Sequence, residues 1–345
     1  MKETSLVVCP AASLCGGCDY QGVPYQEELA AKRQRLQAVL SDALAIPEKR
    51  MAAMVPSPKV THYRNRVDLS LRKTRRGEVF IGFRPSRHRR SVLPVEHCAI
   101  AEEAINEALP RIKEEARQRL PERYRMASLT VRTGDDRRVY WGGIGKRSNR
   151  LRPDQYLWTD QAGPRIFYSL DTFFQANVSI FPHLFAEIRA TGVLTRETIF
   201  YDLYGGVGLF SLGLADTVKT AVLIEQNPAS LTLAEYNKAY HRLDNMVIYA
   251  GTVEEMFGLA MQTHRGDKNV AMVDPPRAGL SDEARRWLTE TRDMAFLFYL
   301  SCCPESLARD LRVLTQGGWE VERVVPLDFF PRTRHVETLV LMGGS

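Results

Sequence analysis

The sequence predicts an α/β protein: a mostly parallel sheet with helices on both faces over residues 166–345, preceded by a basic α+β domain over 51–165 and a short cysteine-bearing segment with one helix over 1–50. Two patterns predict this. After Tyr168, strand-like apolar runs alternate with helical segments, as in parallel sheets covered on both sides. Between Met51 and Trp158, short runs alternate apolar and polar residues, as half-exposed strands do. The composition agrees: 345 residues, 44% hydrophobic and 26% charged, suffice for two cores at roughly 100–200 residues each and exclude wholesale disorder.

Residues 1–22 are small and polar and carry Cys9, Cys15 and Cys18. Six cysteines in the chain are too few and too unevenly spaced for a secreted disulfide scaffold, so they read as ligands, nucleophiles or packing residues in a reducing compartment. No run approaches the roughly 18 apolar residues of a membrane span, and MKETSLVVCP lacks a basic-then-apolar signal. A cytoplasmic protein without membrane contact is expected. The following stretch, YQEELAAKRQRLQAVLSDAL, places leucines and alanines at helical spacing.

The net charge of +6 conceals a division. Residues 1–150 hold 29 Lys and Arg against 17 Asp and Glu, while the remainder holds 18 against 24. Eleven basic residues fall between Lys59 and Arg90, Arg87, Arg89 and Arg90 among them, opposed only by Asp68 and Glu78. A charge run is most often a solvated face. Here it punctuates the strand-like segments VDLSLR and EVFIGF, which suits a sheet that binds a polyanion, nucleic acid first. Charge alone does not separate RNA from DNA. SLTVRT and RRVYWGGI read as further strands, and one amphipathic helix is expected near Ile100–Arg119.

In the second half the strands are TIFYDLY, TAVLIE, NMVIYAG, NVAMVDPP, AFLFYLS, EVERVVPLD and ETLVLMG. The first ends in Asp202-Leu-Tyr204-Gly205-Gly206-Val-Gly208, where glycines let backbone approach a ligand at the carboxyl edge of the sheet. Alone, such a turn is also a plain strand-to-helix corner. The next strand ends in Glu225, an acid placed about 20 residues on, as a ribose diol requires. The spacing departs from G-x-G-x-x-G and no P-loop lysine motif is present, so S-adenosylmethionine fits better than NAD or ATP. The fourth strand ends in Asp274-Pro-Pro-Arg277, a stiff loop at the same edge. Amino-group methyltransferases with a related motif carry an aromatic residue where Arg277 stands, which argues against an exocyclic amine as acceptor.

The fifth strand ends in Ser301-Cys302-Cys303-Pro304. A buried strand-end cysteine is usually an inert small hydrophobe, but this one emerges at the edge where the glycine turn and Asp274 converge. Glu337, opening the last strand, is either a surface acid or a second reactive group. Together with a methyl donor the pair suggests one chemistry. Uracil C5 is a poor nucleophile; thiolate addition at C6 makes it an enolate carbon able to accept a methyl group, and a carboxylate then removes the C5 proton so that the thiol can leave.

These residues resemble the iron–sulfur-containing, S-adenosylmethionine-dependent RNA uracil-C5 methyltransferases. The likeness runs through Cys9-x5-Cys15-Gly-Gly-Cys18 with Gln21 and Tyr25, Tyr63-Arg64-Asn65, Phe173-Phe-Gln175-Ala-Asn177, the glycine turn, Asp274-Pro-Pro-Arg, Ser301-Cys302 and His335-Val-Glu337. The resemblance implies a Rossmann-like class I methyltransferase domain with a mostly parallel seven-stranded sheet. It implies Cys302 as nucleophile, Glu337 as base, and Gln175, Tyr204, Glu225 and Asp274 around S-adenosylmethionine and the target base. It also makes Cys9, Cys15, Cys18 and Cys98 ligands of a [4Fe–4S] cluster, although four such thiols fit structural zinc about as well by spacing alone.

The sequence departs from the family in three places. Cys303 follows the nucleophile where asparagine is common. Gly205 replaces a cysteine in the turn, expected to enlarge the pocket. Finally, many members open with a small β-barrel domain, whereas this sequence starts almost directly at the cysteine motif, so RNA recognition is expected to rest on the central domain. The expected activity is 5-methyluridine formation in structured RNA by a monomer, with 23S ribosomal RNA before transfer RNA. The rivals are methylation of an exocyclic amine and a catalytically silent RNA-binding module.

Overall fold

The computed structural model describes residues 9–85, 91–145, 149–291 and 293–344, so Arg87, Arg89 and Arg90 of the basic run lie outside the described residues. A short turn of helix, α1 (Ala12–Cys15), precedes the long α2 (Tyr25–Ala43). Then come β1 (Arg66–Lys73), β2 (Val79–Phe83), β3 (Leu93–Pro94), α3 (Glu103–Arg119), β4 (Met126–Thr133) and β5 (Val139–Gly142), whose strands form an antiparallel sheet in the order β3-β2-β1-β4-β5. Period two decides its faces. Val67, Leu69 and Leu71 of β1 pack with Leu129 and Val131 of β4 against Ile105, Leu109 and Ile112 of α3. Arg66, Asp68, Ser70 and Arg72 alternate with them and face away.

A hairpin of β6 (Leu157–Thr159) and β7 (Ile166–Tyr168) leads to α4 (Phe181–Ala190). From there β8 (Thr198–Leu203), α5 (Leu209–Leu214), β9 (Thr220–Glu225), α6 (Pro228–His241), β10 (Met246–Ala250), α7 (Val253–His264), β11 (Lys268–Val273), α8 (Asp282–Glu290), β12 (Met294–Ser301), α9 (Pro304–Gln316), β13 (Glu320–Leu327) and β14 (Glu337–Gly343) follow. Among the described residues they build a seven-stranded sheet in the order β10-β9-β8-β11-β12-β14-β13. Its first five strands are parallel, and β14 slots antiparallel between β12 and β13.

Because both faces are covered, these strands are apolar at consecutive positions and divide their side chains between two cores. Phe200, Leu223, Met272 and Phe298 point to the side of α4, α5 and α6; Tyr201, Ile224, Val273 and Tyr299 point to that of α7, α8 and α9. Two assignments of sequence to domain differ from expectation. The boundary expected after residue 165 falls inside the hairpin β6–β7, which packs as a whole in the first of these cores. Helix α2, expected to travel with the cysteine segment, buries Leu36 and Leu40 in the second. Apolar stretches at helical or strand spacing announce a buried face without saying against what. Among the described residues no helix is long and apolar enough to cross a membrane.

Candidate active site

Strand register gathers the reactive groups at one edge. β8 and β11 are parallel neighbours with Leu203 beside Val273, so the glycine turn and Asp274 leave the sheet side by side. The strand order reverses at this pair, where open sheets form their ligand crevice. Across β12 and β14 Ser301 pairs with Thr338, and one further step along that antiparallel register sets Cys302 toward Glu337. A cleft of about 840 Å3 lined by Arg189, Lys219 and Asn245 opens at the opposite edge of the sheet, away from these groups.

The turn after β8 is built for close approach. Tyr204, Gly206 and Gly208 all have positive φ, at 63°, 58° and 95°. Gly206 N–H donates to Glu225 Oε2 at 2.9 Å, while Glu225 Oε1 accepts from the Gln226 and Asn227 amides. Glu225 thus braces the turn as well as presenting a carboxylate at the end of β9. Gly205 does not enlarge the crevice as expected: a Cβ there would meet Leu223 Cγ at 2.6 Å, so its missing side chain makes room for the core. Asp202, buried at the end of β8, accepts from both the amide and hydroxyl of Ser211. Burial outweighs those bonds and pushes its carboxyl up to about 6. Burial, reinforced by Asp202, likewise raises Asp274 to about 7 against the bond from Gln175 Nε2 at 3.3 Å. Tyr204 is half-buried against the core beneath α7 and α9, and burial raises its phenol above the ordinary range.

Gln175 is placed by a clamp that sequence reading missed. Arg132 of β4 is fully buried and donates to the carbonyls of Ser169, Thr172 and Phe174. Asn65 Nδ2 donates to the Gln175 carbonyl. In an alternating strand Arg132 looks like a solvent-facing charge, and no local signal marks it otherwise.

At the thiol and acid the fields oppose ionisation. Burial pushes the Cys302 thiol up to about 11, and Glu337 and Asp274 add to the effect while Arg277 opposes it. Burial, with Asp274 contributing, holds Glu337 well above the usual carboxylate range. Glu337 Oε2 has no hydrogen-bond partner among the described residues. A buried polar atom without a partner costs about 1–3 kcal/mol. Arg277 is exposed and makes no hydrogen bond or ion pair among the described residues, leaving its guanidinium available to an incoming acceptor. Cys303 Sγ instead donates to Glu305 Oε2, away from this pair.

The loop that delivers Glu337 is held from the N-terminal side. Lys32 Nζ, buried on α2, reaches Glu28 Oε1 at 2.6 Å, Asp328 Oδ1 at 2.7 Å and the Phe330 carbonyl at 3.1 Å. Arg332, at φ 69°, donates its amide to Glu28 and its guanidinium to the Val23 carbonyl. Its own carbonyl accepts from the Asp19 and Tyr20 amides, and Asp19 Oδ2 accepts from the Arg334 amide. The residues just after the cysteines therefore prop the loop that carries the acid.

Cys9, Cys15, Cys18 and Cys98 line one small cavity with Gln21. Burial raises Cys15, Cys18 and Cys98, Cys18 to about 11, and repulsion among the neighbouring thiolates adds to it. Four converging thiols form a donor set which a thiophilic metal or cluster would complete.

An open sheet with this crevice and edge defines a methyltransferase fold. The crystal structure of the Pyrococcus abyssi tRNA (uracil-54, C5)-methyltransferase in complex with S-adenosyl-L-homocysteine has the same fold, with TM-score 0.72 and 23% identity over 95% of this chain and 86% of that one. A family model described as tRNA (Uracil-5-)-methyltransferase matches residues 160–344, more than half of the chain, and the chain belongs to that family of RNA methyltransferases. Relatives include an uncharacterized RNA methyltransferase of Aquifex aeolicus, 28% identical over 97% of this chain and 83% of its own length. Another, from Oceanobacillus iheyensis, is 26% identical over 94% and 80%.

Proposed function

We propose that this enzyme forms 5-methyluridine in 23S ribosomal RNA with S-adenosylmethionine as methyl donor, acting in the cytoplasm as a monomer. The observation that carries the reading is the β12–β14 register, which one step beyond Ser301 and Thr338 sets Cys302 toward buried Glu337, whose Oε2 has no hydrogen-bond partner among the described residues. Cys302 Sγ, once deprotonated, adds to uracil C6. Arg277 faces the electron-rich oxygen of the resulting enolate, and Gln175 and Asp274 orient the base and the cofactor. The cofactor supplies an electrophilic methyl group on a sulfonium. Glu337 in its carboxylate form accepts the C5 proton, after which the Cys302–C6 bond breaks, restoring the C5–C6 double bond and releasing the thiolate. Glu225 and the turn from Tyr204 to Gly208 hold the nucleoside part of the cofactor.

The target uridine must leave its stack to reach Cys302, because C6 is inaccessible within a helix. The basic domain of residues 51–165 holds the RNA, and residues 166–345 carry the chemistry. Cys9, Cys15, Cys18 and Cys98 would hold a [4Fe–4S] cluster, whose iron would keep the four thiolates deprotonated and staple the first 50 residues to the Cys98 loop. Transfer RNA is the second reading, favoured by the substrate of the Pyrococcus abyssi neighbour. The test is RNA carrying 5-fluorouridine, whose C5 has no proton to lose. Trapping at Cys302 supports the mechanism and its absence overturns it, while mass-spectrometric maps of 5-methyluridine in cells lacking the protein decide between the RNAs.

A further inference from the structure

A cleft of about 400 Å3 lies away from the thiol–acid pair, between the turn Cys15-Gly16-Gly17 and the outward face of the five-stranded sheet. Its floor is Ser70 of β1 and Ser128 of β4, cross-strand partners with short side chains. Asp68, Phe83 and Arg84 complete it. Arg84 Nε donates to Ser70 Oγ at 2.7 Å, which lays the guanidinium across the sheet, and no carboxylate pairs with it among the described residues. Asp68 Oδ1 accepts from Thr130 Oγ1 at 2.8 Å, and both of its carboxylate oxygens accept from Arg66.

We propose that this cleft is a second nucleotide site, which receives an unstacked ribonucleotide a short distance along the chain from the target uridine. The inference rests on the RNA substrate proposed above and deepens it. The cleft has the volume of a small-ligand site. The Arg84 guanidinium plane offers a stacking surface to any base, while Phe83, one residue earlier in β2, packs against the inner core of the domain. The serine hydroxyls of the floor and the Asp68 carboxylate, whose charge Arg66 already pairs, accept from base amino and imino groups, so the occupant is a base presenting N–H donors, such as guanine or cytosine. The surrounding basic face supplies the phosphate contacts. Position also agrees. β1 starts one residue after Asn65, which braces Gln175, and at about 3.3 Å per residue Asp68 to Ser70 lie roughly 10–17 Å from it, within reach of a neighbouring nucleotide.

The test is binding of in vitro transcribed, unmodified 23S rRNA fragments by Arg84→Ala and Ser128→Leu, with Arg111→Ala on the helix side of the same domain as control. The first two should weaken RNA binding about tenfold, as loss of one stacked base does, with kcat at saturating RNA and the thermal midpoint unchanged. Ultraviolet crosslinking of 5-iodopyrimidine-substituted RNA should label peptides within residues 66–84 or 126–130. Dissociation constants within about twofold of wild type for both variants, or labelling confined to other peptides, overturn the proposal. Equal losses on a blunt RNA duplex also overturn it, since a duplex offers only phosphates. Binding is read without methylation, so a failure of the Cys302 chemistry, seen as absent 5-fluorouridine trapping in wild type and variants alike, leaves this result separately legible.

Discussion

In the proposed mechanism Cys302 attacks as a thiolate, yet its surroundings raise it to about 11. At neutral pH the thiol is therefore protonated, and the rate of adduct formation should climb by about tenfold per pH unit between about pH 7 and 9; a flat profile would show that binding RNA, and not solvent pH, sets the thiolate fraction. Cys302→Ala should abolish methylation and trapping, a loss of at least about a thousandfold, whereas Cys303→Ala, whose sulfur points to Glu305, should retain both. For Glu337→Gln the adduct should form and then persist, with turnover slowed by roughly 10²–10⁴, seen as RNA covalently retained on the protein. The same variant reports on stability. Glu337 binds its proton more readily folded than unfolded, so its contribution is favourable at low pH and is lost as pH rises through the raised value. Glu337→Gln should accordingly melt above wild type at about pH 8 and level with it at about pH 4.

At the level of the single element, the clamp on Phe173 to Asn177 shows where sequence reading ends. The motif Phe173-Phe-Gln175 was visible as a motif, and the seven strands and their edge were visible because apolar runs, the glycine turn and Asp-Pro-Pro are local signals. That Arg132 holds the motif in place was not, because three carbonyls some 40 residues away do not appear in the pattern of β4. Arg132→Met should leave those carbonyls unpartnered and cost about 3 kcal/mol, read as a lower thermal midpoint, with a larger rise in KM for S-adenosylmethionine than fall in kcat. Lys32 is a similar case. On α2 it stands four residues from Glu28 and looks like an ordinary solvated pair, but its other partner, Asp328, is 296 residues away and both are buried.

Across the whole molecule, the cysteine segment, α2 and the Glu337 loop form one connected support. Lys32→Met would leave Asp328 buried without its cation and Glu28 with Arg332 alone, and should cost roughly 3–5 kcal/mol in a chemical denaturation curve. Removing the proposed cluster from Cys9, Cys15, Cys18 and Cys98, or replacing those cysteines by serine, should loosen the Asp19–Arg334 contact, raising hydrogen exchange at residues 328–336 as well as around the cysteines; exchange confined to the cysteines would disconnect the two. The sequence announced the cysteines and the acid separately, and only the fold shows that one end of the chain steadies the other. The placing of β14 adds a consequence for biosynthesis. Because it is made after β13 yet pairs between β13 and β12, a nascent polypeptide halted before residue 337 has no acid for its thiol and leaves the facing edges of two apolar strands open. Premature stop codons in this region should thus give aggregating, inert fragments instead of weakened catalysts.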